Sequence, residues 1–262
     1  MMTKVSTITP CYNMGRYIEG FLDNLSTQTH KDLEIVLDHN DPSVDEIKLV
    51  EDYNEKYNNI FHIKVEGVDP IGVSMNRCIE NATGDYLCIW NVDDLRTPDS
   101  IEIMAKKLDD NPDVDIVYGN YTIVSNFGDT GGQNVDVEPH IPELKSGMIL
   151  GPFFMFRKSL IKKSGLFDEQ FTCGADYDLA LRLVRNGKAL FMPDILGYYL
   201  NEGLGQSTKP NTKQPIERTV IELRYNVRVL EPHLVSQTRD YDVLNITVDE
   251  EKIPVDIFIG GQ

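Results

Sequence analysis

Apolar residues in the first 120 positions follow two alternating periods. Short, nearly continuous apolar runs at 5–10, 33–37, 61–65, 86–90 and 114–118 have the length and density of strands buried on both faces of a mostly parallel sheet. Between them, apolar residues return every three or four positions. Tyr17, Ile18, Phe21, Leu22 and Leu25 form one such face, Val44, Ile47 and Val50 a second, and Ile101, Met104 and Leu108 another. End signals accompany these helices. Ser43 followed by Glu46 predicts a capping box, Thr83-Gly84 closes a helix over 72–81, and Thr97-Pro98 predicts an N-cap with proline at the first helical position. Strands alternating with helices imply right-handed crossovers and an α/β, doubly wound fold.

Beyond Asn120 the texture changes. Residues 125–142 are polar and glycine-rich, the pattern of a hairpin or a mobile loop. An apolar segment at 148–157 contains Phe153, Phe154 and Phe156. A helix is expected over 176–186, ending at Gly187, and a strand over 190–200. Val220, Leu223, Val227 and Leu230 have helical spacing. Two strands, 245–248 and 253–255, flank a turn at 249–252.

Composition narrows the class. The chain has 262 residues, 41% hydrophobic and 26% charged, which suits a globular α/β domain with additions. No apolar run approaches a membrane span, and the first residues lead straight into a strand without the pattern of a signal peptide. Four scattered cysteines, Cys11, Cys78, Cys88 and Cys173, lack metal-ligand spacing and read as reduced thiols of a cytosolic protein. A net charge of −17 argues against nucleic acid and against direct adsorption to anionic lipid. A phosphate-bearing ligand would have to be held locally, by metal, backbone amides and a few basic residues.

Candidate chemistry gathers at the carboxyl ends of the strands, where open α/β sheets bind ligands. The 86–90 strand runs into Asp93-Asp94. Two adjacent carboxylates repel unless a cation lies beside them, and a divalent cation carrying phosphate oxygens would serve. Read alone, a solvated acidic loop explains the pair better. The same edge receives Thr9-Pro10-Cys11-Tyr12-Asn13, Asp38-His39-Asn40-Asp41-Pro42-Ser43 and the helix start Gly72-Val73-Ser74-Met75-Asn76-Arg77.

In this order, with Gln28-Thr29 before the second strand, these segments resemble the nucleotide-sugar half of family 2 glycosyltransferases, which have the GT-A fold. Gly174-Ala175-Asp176-Tyr177-Asp178-Leu179-Ala180-Leu181-Arg182 looks like the family's Glu-Asp motif, and Gly197-Tyr198-Tyr199-Leu200 like its closing strand. The resemblance spans about residues 4–208. It implies a GT-A domain over 1–215, divided into a nucleotide-sugar-binding half (1–120) and a smaller acceptor-side β region (121–215). A helix and β-hairpin extension would follow over 216–262. It further implies that Pro10, Tyr12, Asn13, Asp38, Asp41, Asn76 and Asp93 face the nucleotide, and that Asp94 with Asp93 holds Mn²⁺ or Mg²⁺. Asp176 would be the base of an inverting transfer. The implied donor is a nucleotide diphosphate sugar, a UDP-sugar first, and the implied acceptor a hydroxyl of a glycan or lipid-linked glycan in polysaccharide or glycoconjugate synthesis.

Several alternatives stay open at this level. Tyr12 can stack on a base or pack in its turn. Asp38 and Asp41 compete for the base imide, because residues 39–42 depart from the family's Asp-Asp-Gly-Ser. Arg77 and Arg96 are cations for phosphate or surface residues, and the three phenylalanines line the acceptor or fill the core. The loop 201–208 is placed to close over the donor, but without the family's histidine, Ser207 and Thr208 offer only hydroxyls. Asn91 and Ala175 replace acidic residues of the family pattern, which leaves a non-catalytic nucleotide-sugar-binding scaffold as the alternative function. Nucleotidyl transfer needs a glycine-rich basic loop after the first strand, where only Gly15 and Arg16 occur. The setting implied is cytoplasmic, with a partner bringing the protein to the inner membrane face for any lipid-linked acceptor. The segment after 215 can cover the sheet, touch the acceptor or form a homodimer surface.

Overall fold

The computed structural model describes residues 3–137, 147–205 and 209–255. The first half follows the alternation read from the pattern: β1 (Val5–Tyr12), α1 (Ile18–Ser26), β2 (Leu33–Asn40), α2 (Val44–Tyr57), β3 (Ile60–Val65), α3 (Ile71–Asn81) and β4 (Tyr86–Ile89). There follow β5 (Leu95–Arg96), α4 (Ser100–Asp110), β6 (Ile116–Val124), β7 (Gln133–Val135) and β8 (Phe154–Arg157). Then come α5 (Ile161–Ser164), α6 (Ala175–Asn186), β9 (Ala189–Leu200), α7 (Gln214–Arg224), β10 (Asn245–Val248) and β11 (Glu251–Pro254).

Among the described residues, nine strands share one sheet in the order β3-β2-β1-β4-β8-β6-β9-β5, with β7 paired to β6. Strands β3, β2, β1 and β4 are mutually parallel. Strand β8 then runs antiparallel between β4 and β6, while β6 and β9 are parallel. Side chains alternate across the sheet. Leu87 and Ile89 of β4 join α3, α6 and α7 in one apolar cluster, and Tyr86 and Cys88 join α1, α2 and α4 in the other. Burial on both faces is why these strands read as unbroken apolar runs.

Local sequence explains both ends of α2. Ser43 and Glu46 make the expected capping box on α2, and Asn58 ends that helix in the left-handed region. Helix α4 starts later than its Thr97-Pro98 signal, with Asp99 as N-cap. Leu95 and Arg96 first pair with β9, the Thr97 carbonyl accepts from Ser100, and the Pro98 carbonyl accepts from Thr29. Tertiary pairing takes the residues that the local pattern gave to the helix. Helix α7 likewise stops at Arg224, so Val227 and Leu230 lie beyond it. Residue 216, drawn as a boundary from the pattern, falls inside this helix.

The glycine-rich stretch is a β6–β7 hairpin as far as residue 137. Its remainder through Pro142 lies outside the described residues, as do Ser207 and Thr208. The expected tail hairpin is formed by β10 and β11 around Asp249 and Glu250, both at positive φ. Of the two roles open to them, the three phenylalanines fill the core: Phe153, Phe154 and Phe156 are buried. None of the four cysteines is in a disulfide bond.

Candidate active site

The carboxyl end of β1 is ringed by acids. Burial, followed by the charges of Glu46, Asp38 and Asp93, raises the Cys11 thiol well above its ordinary range. Pro10 and Tyr12 sit in register with Asp38 and Asn40 of β2. Tyr12 is 47% exposed, and Asn13 turns the chain out of the strand at φ 55°. The capping carboxylate of Glu46 also lies against Gly15, where a Cβ would stand 3.3 Å from its Oε1, so α2 braces the loop leaving β1.

The two aspartates competing for a base differ sharply. Asp38 is buried and accepts from Asn40 Nδ2 (2.7 Å), Ser74 Oγ (2.6 Å) and Arg77 (2.8 Å). Asp41 lies exposed at φ 47°, with its amide bonded to the Val65 carbonyl. Arg77 is paired with Asp38 and Asp69 on the β2 side of the edge, so it is neither a loose surface charge nor placed at Asp93-Asp94. Asn76, expected to face the nucleotide, is held by the protein itself. Its buried carboxamide bonds the Phe167 carbonyl and amide and Glu169, clamping α3 to the 167–169 segment.

After β4, the chain turns through Asn91 so that the Asp94 amide bonds the Asn91 carbonyl. The buried Asp94 carboxylate accepts the Leu200 amide at 3.0 Å and the Asn91 side chain at 3.4 Å, and its carbonyl accepts Trp90 Nε1. Asn91 therefore donates where the family's acid would repel. Burial and then the neighbouring Asp93 charge push Asp94 far above the carboxylate range; burial and Glu202 raise Asp93. Glu202 was not foreseen. It is the acid in the 201–205 part of the loop, paired to Arg16 (3.0 Å) and accepting from the Tyr17 hydroxyl. Arg96 was read as a phosphate or surface cation. It is buried against the Trp90 and Phe153 rings, with Nε and one terminal nitrogen lacking hydrogen-bond partners.

This donor set suits a hard divalent cation. Oxygen ligands predominate, the donors such a cation prefers, and burial, ahead of the neighbouring acids, raises the proton affinities of Asp93 and Asp94. Among the described residues no three side chains form a ready-made cage, so further ligands would come from the diphosphate and water.

Asp176 occupies the first turn of α6 and lines a pocket of about 260 Å³ with Tyr121, Tyr177, Tyr199, Met148 and Arg218. Its Oδ1 accepts the Tyr177 amide at 2.8 Å. Burial raises its pKa, and the Glu217 charge adds to this. The tyrosines, rather than the phenylalanines, form the aromatic wall. Residues 199 and 200 join the two regions: Tyr199 borders the Asp176 pocket while the Leu200 amide holds Asp94.

The model of Glycosyl transferase family 2 matches residues 6–166, more than half of the chain, and the chain belongs to that family. An uncharacterized glycosyltransferase of Rickettsia typhi is 30% identical over 203 residues, 73% of this chain and 62% of the relative. One from Methanocaldococcus jannaschii is 27% identical, over 70% of this chain and 65% of that protein. The chain thus spans a little under two thirds of these relatives' length. Among solved structures, S. aureus TarS residues 1–349 in complex with UDP-GlcNAc matches at TM-score 0.68 and 16% identity. That match covers 90% of this chain and 71% of the TarS chain. The mannosyltransferase PcManGT of Pyrobaculum calidifontis, in complex with GDP-Man and Mn²⁺, matches at TM-score 0.58 and 17% identity, covering 92% and 66%. The fold is that of GT-A glycosyltransferases. Among the described residues, no helix is long and apolar enough to cross a membrane.

Proposed function

We propose that this protein transfers a sugar, with inversion, from a UDP-sugar to a hydroxyl of a glycan or glycolipid. The observation that carries this reading is the junction at 199–200, where one strand end borders the Asp176 pocket and binds Asp94. The TarS complex with UDP-GlcNAc supports the choice of donor. Residues 1–120 would hold the nucleotide, with Pro10, Tyr12, Asn13 and Asp41 at the open end of β1 and β2. Asp38 would act there by anchoring Arg77.

In this mechanism the tyrosine-lined pocket seats the acceptor hydroxyl. Asp176 removes its proton as the oxygen bonds to the anomeric carbon and the bond from that carbon to the diphosphate breaks. A raised pKa suits the task, since the carboxylate binds the proton it receives more firmly. Asp93 and Asp94 would hold Mn²⁺ or Mg²⁺, which when bound neutralises charge on the departing diphosphate. Glycan or glycoconjugate assembly at the cytoplasmic face, through a membrane partner, is the setting we propose.

Calorimetry with UDP, GDP and dTDP, each with and without Mn²⁺, tests the donor site; UDP is expected to bind, and more weakly without metal. Asp176→Asn should keep that affinity and lose turnover by about 10²- to 10⁴-fold. Unchanged turnover in this variant would sink the assignment of the base and favour a non-catalytic scaffold.

A further inference from the structure

The loop before Asp176 is held from behind by one carboxylate on a distant helix. Glu217 of α7 is fully buried. It accepts the Thr172 amide (3.0 Å), the Thr172 hydroxyl (2.7 Å), the Cys173 amide (2.7 Å), the Gly174 amide (2.9 Å) and the Tyr241 hydroxyl (3.1 Å). Three successive amides converging on one anion form a nest turned on a protein side chain. Among the described residues no cation pairs with Glu217. Helix α7 packs closely on Gly174, where a Cβ would stand 2.9 Å from Ile221 Cδ1 and 3.4 Å from Glu217 Cβ. Gly174 is also the N-cap of α6, two residues before Asp176.

We propose that Glu217 is a positioning residue for sugar transfer, fixing the 172–174 loop so that Asp176 stands at the pocket wall. The proposal rests on the reading of Asp176 as the base. It makes α7 a working part of the acceptor side. Glu217 has a second, electrostatic effect, because its charge adds to burial in raising Asp176. The other titratable groups on this pocket are Cys173 on the same loop, Tyr177 on α6, Arg218 on α7, Tyr121 on β6 and Tyr199 on β9.

The test compares Glu217→Gln, Glu217→Asp and wild type by two readouts. The first is the rate at which DTNB labels Cys173, which lines the pocket within the held loop while Cys11, Cys78 and Cys88 are buried. The second is nucleotide release from UDP-GlcNAc or GDP-mannose, whichever wild type turns over, followed against pH. Glutamine turns an amide NH₂ toward the nest, so Glu217→Gln should label about tenfold faster. It should lose about 100-fold in kcat with nucleotide affinity kept, the cost of a misplaced catalytic group. Its acid limb should move to lower pH, because a negative charge beside Asp176 is gone, and Glu217→Asp should recover part of each effect. Wild-type labelling in the glutamine variant overturns the proposal, and so does faster labelling with wild-type kcat. If Glu217→Gln does not fold, Tyr241→Phe removes one donor from the same carboxylate and should shift both readouts in the same direction; no shift overturns the proposal. Wild-type turnover in Asp176→Asn defeats the base assignment itself, while Cys173 labelling still reports whether Glu217 holds the loop.

Discussion

Asp176 and Asp178 lie two residues apart on α6, and their surroundings drive their proton affinities in opposite directions. Asp176 has amides and a neighbouring carboxylate, and burial raises it. Burial also acts to raise Asp178, but Arg182 and Arg224 outweigh it, and its pKa is lowered. Such divergence marks which acid can exchange a proton and which is structural. Arg224 joins Asp178 (2.7 Å) and Asp168 (2.8 Å), all three buried, and donates to the Asp242 and Asn245 carbonyls. Arg224→Leu should therefore cost about 3–5 kcal/mol, by leaving buried Asp168 without a cation and buried Asp178 with Arg182 alone, read from urea unfolding at neutral pH. A change below about 1 kcal/mol would mean the network contributes little. Asp93, Asp94 and Asp176 were legible because each sits at a strand or helix end within a short motif. Glu202 and Glu217 were not: each acts on residues more than forty positions away, and neither has a local signature.

Pairs of elements show where local pattern suffices and where it does not. The capping box on α2 is written in adjacent residues and forms as read. The start of α4 depends on β5 finding β9, a contact no window around residue 97 contains. Strands β2 and β3 carry a further consequence. His39 is buried and faces His62 across the ladder at 3.3 Å. Burial lowers both, His62 to about 4. The unfolded chain takes up the His62 proton near pH 6.5, the folded one only near 4, so stability from His62 is complete above about 6.5 and lost as pH falls toward 4. Since His62 is partly solvated, an effect of about 1–2 kcal/mol is expected. The urea midpoint should drop less between pH 7 and 4.5 in His62→Gln than in wild type. Equal drops would assign the acid sensitivity elsewhere.

At the scale of the molecule, the parallel half of the sheet was readable because each crossover is local, a strand and the helix after it. The mixed half was not, since β8 enters antiparallel between β4 and β6, strands made long before it. Net charge acts at this scale too. At −17, the protein repels a nucleotide diphosphate at long range. Without metal, the association rate of UDP should rise with added salt, as the screening length shortens from about 30 Å at 0.01 M to about 8 Å at 0.15 M. Stopped-flow measurement of a rate that instead falls with salt would show that a local basic funnel governs approach.

Arg224 and Glu217 also set an order in time. A ribosome delivers this chain from β1 onward, and domains begin to fold as they emerge. The parallel half can form early, yet the 172–174 loop must wait for residue 217, and Asp168 for residue 224. Until then α6 has an uncovered apolar flank where Val220 and Ile221 later pack. The pocket lined by Asp176 is thus completed only after α7 has emerged, later than the open end of β1 and β2.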